Sequence, residues 1–269
     1  MRSIPCAGWP LMPDCGYNHA RNNEGQFHAG ICWEVDLGLT SYGKALELQH
    51  HCVAARKASL IPDVLLLCEH PHVITLGRNG KRENLLASDN SLRQMNVEFH
   101  PSDRGGDITY HGPGQLVGYP ILDLAAMRRD VCWYACQLEE VMIRAAAFFG
   151  ISAGRNPGKI GVWVSAASSE KLGALGVHLS RWVTSHGFAL NVSTDLRYFD
   201  LIVPCGIAGC HSTSLEKLLG RPVALAGVAP VVTEVFGEIF NREMHVVGLA
   251  ELEEALECAE ANVAKPVTV

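Results

Sequence analysis

Three segments of this chain carry residue types at spacings that could do chemistry. In "DLIVPCGIAGCHST" (residues 200–213) an apolar run ends on Pro204-Cys205-Gly206, with Gly209 close behind. A turn exposes its side chain, and glycine neighbours leave backbone N–H groups free to point at an oxyanion, which suits a thiol nucleophile. Turn cysteines without function are also common, so the spacing alone leaves packing and catalysis both open. No Cys-His-Asn protease signature accompanies it. In "EKLGALGVHLSRWVTSHGFALNV" (170–192), Lys171 opens a strand of small and apolar residues. The ordinary reading is a strand-end charge reaching solvent. The alternative is a partly desolvated amine of depressed pKa that acts as a base. His186, between Ser185 and Gly187, is either a satisfied core histidine or a pocket wall. In "RGGDITYHGPGQ" (104–115), five of twelve residues are glycine or proline, with Arg104, Tyr110 and His111 beside them. Such a stretch is either a Gly-rich hairpin or backbone that something approaches closely. It lacks both G-x-x-x-x-G-K-[ST] and G-x-G-x-x-G, so it is no standard phosphate loop.

Bulk composition narrows the classes. The chain has 269 residues, 48% hydrophobic and 19% charged, the profile of a folded globular protein. A net charge of −6 without any Lys/Arg block argues against a nucleic-acid partner. No apolar run reaches the roughly 18 residues that cross a bilayer. The first 25 residues show neither a signal-peptide core nor a transit-peptide pattern, so a cytoplasmic protein without membrane contact is expected. In that reducing setting the ten cysteines are expected to be free thiols, most of them small buried hydrophobes. Their spacings contain no C-x-x-C, and no metal site is expected.

The elements that must position the three segments follow from periodicity. Strands are predicted at 30–38, 63–70, 73–78 and 96–100, and at 159–165, 171–179 and 183–193. Residues 107–124 form strand, Gly-Pro-Gly turn, strand. A helix over 40–60 begins at a Thr or Ser cap and spaces Leu46, Val53 and Leu60 about two turns apart. The clearest helix is 130–150, capped by Asp130, stopped by Gly150, with Val131, Leu138, Val141, Met142, Ala145 and Phe149 inward. Further helices are expected at about 225–241 and 249–261. Strands in runs with helices between them indicate an α+β domain with a mixed or mostly antiparallel sheet, not a doubly wound parallel one.

Four stretches, "EHPHVITLGR", "RGGDITYHGPGQLVGYPILDL", "KLGALGVHLSRWVTSHGFALNVSTDL" and "IVPCGIAGCHSTSL", resemble the successive motifs of the acyl-carrier-protein-dependent octanoyltransferases of the lipoyl pathway. The likeness runs from about residue 31 to 241. It implies an α/β fold with a central mixed β-sheet flanked by helices, shared with biotin- and lipoate-protein ligases. The division expected is a flexible N-terminal extension (1–30), a catalytic domain (31–245) and a C-terminal helical extension (246–269).

The resemblance also implies transfer of an octanoyl group from octanoyl-acyl carrier protein to a lysine ε-amine. The acceptors implied are lipoyl domains of 2-oxoacid dehydrogenases and the glycine cleavage H protein. By the same likeness Cys205 forms the acyl thioester and Lys171 activates it, with no cofactor. Substrate-binding positions carried over are Arg104, Gly105, Gly106, Asp107, Ile108, Thr109, Tyr110 and His111, then Ala174, Leu175 and Gly176, and Gly187, Phe188 and Ala189. His72 departs from the family's frequent "EHPP", which reads as a loop detail. Cys210 is an unusual neighbour for Cys205 and raises the chance of an oxidative disulfide. Arg78, Lys81, Arg82, Arg93, Arg128 and Arg129 form either a docking face for acidic partners or a solvated surface. An ATP-dependent lipoate-protein ligase and a non-catalytic binding protein of the same fold are the alternatives.

Overall fold

The computed structural model describes residues 30–164, 170–204 and 211–263. The expected extension over 1–30 therefore lies outside the described residues, except Gly30. Strand β1 (Gly30–Leu39) and helix α1 (Tyr42–Lys57) lead into β2 (Asp63–Glu69) and β3 (Val73–Leu76). Next come α2 (Asp89–Gln94), β4 (Glu98–Pro101), β5 (Ile108–His111) and β6 (Gln115–Ile121). After α3 (Val131–Phe148) the chain forms β7 (Ala153–Asn156), β8 (Lys159–Val164), β9 (Glu170–Ser180) and β10 (Val183–Asn191). It ends with β11 (His211–Ser212), α4 (Leu215–Leu219), α5 (Leu225–Phe240), β12 (Arg242–Val246) and α6 (Leu249–Val263).

The main sheet has the order β12-β1-β2-β6-β10-β9-β8-β7, with β11 alongside β9. β1 runs parallel to β12 and β2, β11 runs parallel to β9, and the remaining neighbours are antiparallel, so the sheet is mixed as expected. Its continuous apolar strand β2 needs cover on both faces. Leu65 and Leu67 pack toward α3 and α5, while Val64, Leu66 and Cys68 pack toward α1 and α6. A smaller sheet, β4-β3-β5, stands apart with its own core.

The structure revises several expectations. β5 and β6 exist, but they do not pair with each other. β5 pairs with β3 in the small sheet and β6 with β2 and β10 in the large one, so the Gly-Pro-Gly turn bridges two sheets. On α1 the inward face is Tyr42, Ala45, Gln49, Cys52 and Ala55, and Leu60 is exposed. The small residues let α1 lie close to the sheet, where Gln49 Oε1 accepts from His186 N at 2.8 Å. Asp130 caps α3 by accepting from Trp133 N at 2.9 Å, and Gly150 leaves it at φ +81. Val131, expected inward, is 43% exposed in the first turn of that helix.

Helix α6 buries Leu252, Leu256 and Ala259 against the α1 side of the sheet, so it closes the core that begins with β1. None of the described helices is long and apolar enough to cross a membrane. All six described cysteines are free. Cys32, Cys52 and Cys68 are buried, while Cys132 and Cys258 are exposed, so burial holds for fewer cysteines than expected. Burial pushes the Cys52 thiol up to about 12, which makes it inert.

Candidate active site

The geometry begins with an irregularity in β9. Val162 of β8 faces Gly173, but the next residue, Trp163, faces Lys171, so β9 carries one extra residue there. Such a bulge re-aims side chains. Leu172 packs in the α3 side of the core, and a Cβ on Gly173 would lie 2.6 Å from Met142 Sδ, so both residues turn toward α3. Lys171 is folded back onto β8. Its Nζ lies 5.1 Å from the Trp163 ring centroid, and the side chain is buried, with 6% of the residue exposed. The solvent-reaching reading of Lys171 is thereby corrected: the bulge withdraws it from the strand end.

The glycine-rich segment docks on the same strand. Gly105 N donates to Val177 O at 2.9 Å, and a Cβ on Gly176 would lie 2.7 Å from Gly105 O. Only glycine at 176 permits that approach. Arg104 is buried and donates to Thr75 O at 2.7 Å, to Thr75 Oγ1 at 2.9 Å and to Gly105 O at 3.0 Å. Asp107 Oδ1 accepts from Ile108 N and Lys81 N, and Oδ2 accepts from the Asn84 amide, which ties the loop's far end down.

Between these pieces lies a cavity of about 600 Å3. Its lining includes Arg104, Gly105, Gly106, Asp107, Ile108, Thr109 and His111, then Lys171, Ala174, Leu175 and Gly176, and Gly187, Phe188 and Ala189. Tyr110 is not on it. This ring is fully buried in the small-sheet core, stacked on Tyr198 at 5.2 Å, with its hydroxyl 2.7 Å from His72 Nδ1. The alternation along β5 turns Tyr110 into the small-sheet core, apart from the other carried-over positions that line the cavity. His72 is likewise more than a loop detail, because it also stacks on Tyr198 at 4.1 Å. Tyr42, Val117 and Tyr119 line the cavity without any signal in the sequence, as do Val131, Cys132 and Ile160.

The polar wall is held by a chain of hydrogen bonds. His111 Nδ1 lies 2.7 Å from Gln115 Oε1, Gln115 Nε2 donates to Asn191 Oδ1, and Asn191 Nδ2 donates to Thr213 O. Thr213 N in turn donates to Lys171 O at 2.9 Å. Burial, and after it the neighbouring His70, pushes His111 down to about 3, so it stands neutral. His186 is a pocket wall: it lines the cavity and its Nε2 lies 2.6 Å from Asp103 Oδ1. Burial lowers its pKa against the opposing pull of Asp103.

Cys205, Gly206 and Cys210 lie outside the described residues. The residues that flank them do not. Pro204 and Ser212 border a small cleft together with Lys171, Asn191 and Phe199, and Ser212 sits opposite Lys171 in the β11–β9 pairing. Among the cations singled out, Arg78 donates to Asp103 O, Arg82 pairs with Asp89, and Arg128 pairs with Asp130. Among the described residues, no group of three or more His, Cys, Asp or Glu side chains is placed to hold a metal.

Residues 41–237 match the lipoyl protein ligase A/B catalytic domain. An octanoyltransferase from Solibacter usitatus is 53% identical over 213 residues, 79% of this chain and 94% of that protein. The chain belongs to the octanoyltransferase family. A second member, from Caldicellulosiruptor bescii, is 45% identical over 224 residues, 82% of this chain and 96% of its own. Solved structures are more distant and speak to the fold alone. A bi-partite lipoate protein ligase from Thermoplasma acidophilum superposes with TM-score 0.66 at 16% identity, over 87% of this chain and 93% of its own. Lipoate-protein ligase A bound with ATP gives 0.64 at 14%, over 88% and 95%. This acyltransferase family thus places its motif segments on a sheet architecture shared with lipoate ligases.

Proposed function

We propose that this octanoyltransferase moves an octanoyl group from the thioester of octanoyl-acyl carrier protein to the ε-amine of a lysine on lipoyl domains and glycine cleavage H protein, with Cys205 as acyl carrier and Lys171 as acid and base. The observation that carries the reading is the buried Lys171 amine at a cavity, with Pro204 and Ser212, on either side of the Cys205 segment, against the same lysine. A free thiol with pKa about 8.5 is only slightly ionised at neutral pH, and a cation beside it favours the thiolate. The Cys205 thiolate attacks the donor carbonyl, and the tetrahedral oxyanion collapses with loss of the carrier thiolate, which takes a proton from the Lys171 ammonium. Lys171, now neutral, accepts a proton as the acceptor amine attacks the Cys205 thioester. The amide forms, and the Cys205 thiolate is released beside the ammonium. Thioester to amide is downhill, so the transfer runs without ATP. The apolar cavity wall of Val117, Leu175, Val177, Phe188 and Ala189 suits the acyl chain.

Intact-mass analysis after incubation with octanoyl-acyl carrier protein, in the absence of ATP, tests this. Wild type gains one octanoyl mass and Cys205→Ser gains none. Equal labelling of both proteins would remove Cys205 from the mechanism.

A further inference from the structure

The mechanism above makes no use of Glu139, yet this α3 carboxylate is buried, with 8% of the residue exposed. Both oxygens are engaged. Oε1 accepts from Gly161 N at 2.8 Å, and Oε2 accepts from Arg155 Nε at 3.0 Å. Burial raises its pKa, opposed first by the Gly161 N–H and then by Arg155 and Lys171. A carboxylate taken out of water costs several kcal/mol before compensation, and a well-packed apolar residue often serves stability as well. What the carboxylate holds explains its presence. Gly161 sits at φ +120, a backbone region that L side chains rarely adopt, and a Cβ there would lie 2.5 Å from Lys171 Cε and 3.2 Å from Nζ. The Gly161 backbone is therefore the floor under the lysine stem, and the Glu139 hydrogen bond pins that floor.

We propose that Glu139 is a positioning residue for Lys171: by accepting the Gly161 N–H it fixes the backbone shelf that sets where the amine stands. The proposal rests on the role given to Lys171 above. Arg155 is not left stranded when Glu139 is neutralised, because it also donates to Glu140 Oε2 at 3.0 Å and to Cys136 O at 2.7 Å.

Three variants separate the shelf from charge and from bulk. Glu139→Gln keeps an acceptor at the same reach, and its kcat is expected within threefold of wild type. Glu139→Asp keeps the charge but withdraws the oxygens by about 1.5 Å, and Glu139→Ala removes the acceptor. Both are expected to lower kcat at least tenfold, with KM for octanoyl-acyl carrier protein within twofold. Circular dichroism and melting establish the folded fraction; if Glu139→Ala does not fold, Glu139→Asp carries the test. Wild-type kcat in the folded Asp variant, or a Gln variant as impaired as Asp, overturns the proposal. Lys171→Ala is run in parallel. Wild-type turnover in that variant is a failure of the catalytic reading itself, which the Glu139 series cannot imitate.

Discussion

Replacing Gly176 by alanine puts a methyl group where the glycine-rich segment rests on β9. Its Cβ would lie 2.7 Å from Gly105 O, 3.3 Å from Arg104 Cδ and 3.4 Å from Arg104 Nη1. The first of these is a backbone atom and cannot swing aside. Either the protein holds the strained contact, at about 1–3 kcal/mol for overpacking, or the loop lifts. Lifting breaks the 2.9 Å bond from Gly105 N to Val177 O, which contributes about 1 kcal/mol. It also displaces Arg104, Gly105 and Gly106 from the cavity beside Lys171. Whichever route the protein takes, about 1–3 kcal/mol set against the organised site corresponds to a fall in kcat/KM of roughly 5- to 150-fold.

The assay is steady-state transfer from octanoyl-acyl carrier protein to an isolated lipoyl domain, with melting followed in parallel. The matched control is Gly43→Ala in α1, where a Cβ meets nothing within 4 Å. That variant is expected to keep wild-type kcat/KM and to gain a little stability from helix propensity. A Gly176→Ala protein with kcat/KM within threefold of wild type would refute the argument that the loop's seat on β9 organises the site.

Two further outcomes follow from the same geometry. Shortening the donor from octanoyl to hexanoyl removes two methylenes worth about 0.8 kcal/mol each, so kcat/KM should fall roughly 15-fold; a competition assay showing no discrimination would remove the acyl chain from the apolar wall. His111, held near 3 against an ordinary 6.5, is harder to protonate folded than unfolded. Its titration therefore adds no pH dependence to stability above pH 6.5 and destabilises progressively as pH falls from 6.5 toward 3. His111→Gln should therefore flatten the acid limb of melting temperature against pH across that window, and an unchanged limb would show that His111 is not the group responsible.

Much of this fold was legible because its long elements are strongly periodic. The apolar run of β2, the capped and glycine-stopped helix α3 and the strand pair β9–β10 all stand where spacing put them. What failed was pairing and facing, which depend on partners far along the chain. Residues 107–124 have the local signature of a hairpin, and nothing within them says that β5 and β6 belong to different sheets. On α1 the spacing of Leu46, Val53 and Leu60 finds the core side only at Val53; the buried stripe is Tyr42, Ala45, Gln49, Cys52 and Ala55, because a close helix–sheet approach selects small residues. Tyr110 shows the same dependence: a motif position says that a residue is constrained, whereas strand alternation decides which face it takes, here the small-sheet core.

Lys171 shows the limit most clearly. Its sequence context, a lone charge at the head of an apolar strand, argues for solvent, and that argument is sound for a regular strand. The β9 bulge reverses it, and the bulge exists only because β8 and β9 pair out of step by one residue. The amine is then placed by three segments that share no local signal: the Gly161 shelf on β8, the Glu139 carboxylate on α3 beneath it, and β11, which lays Ser212 opposite Lys171. β11 is also the first described element after the Cys205 segment. The pairing register that withdraws the lysine from water therefore brings the return of the thiol-bearing segment to the same place. The family's motifs name Lys171, but which residues stand beside it is a property of sheet register, and a one-residue slip of β9 would move it away from Ser212 while leaving every motif intact.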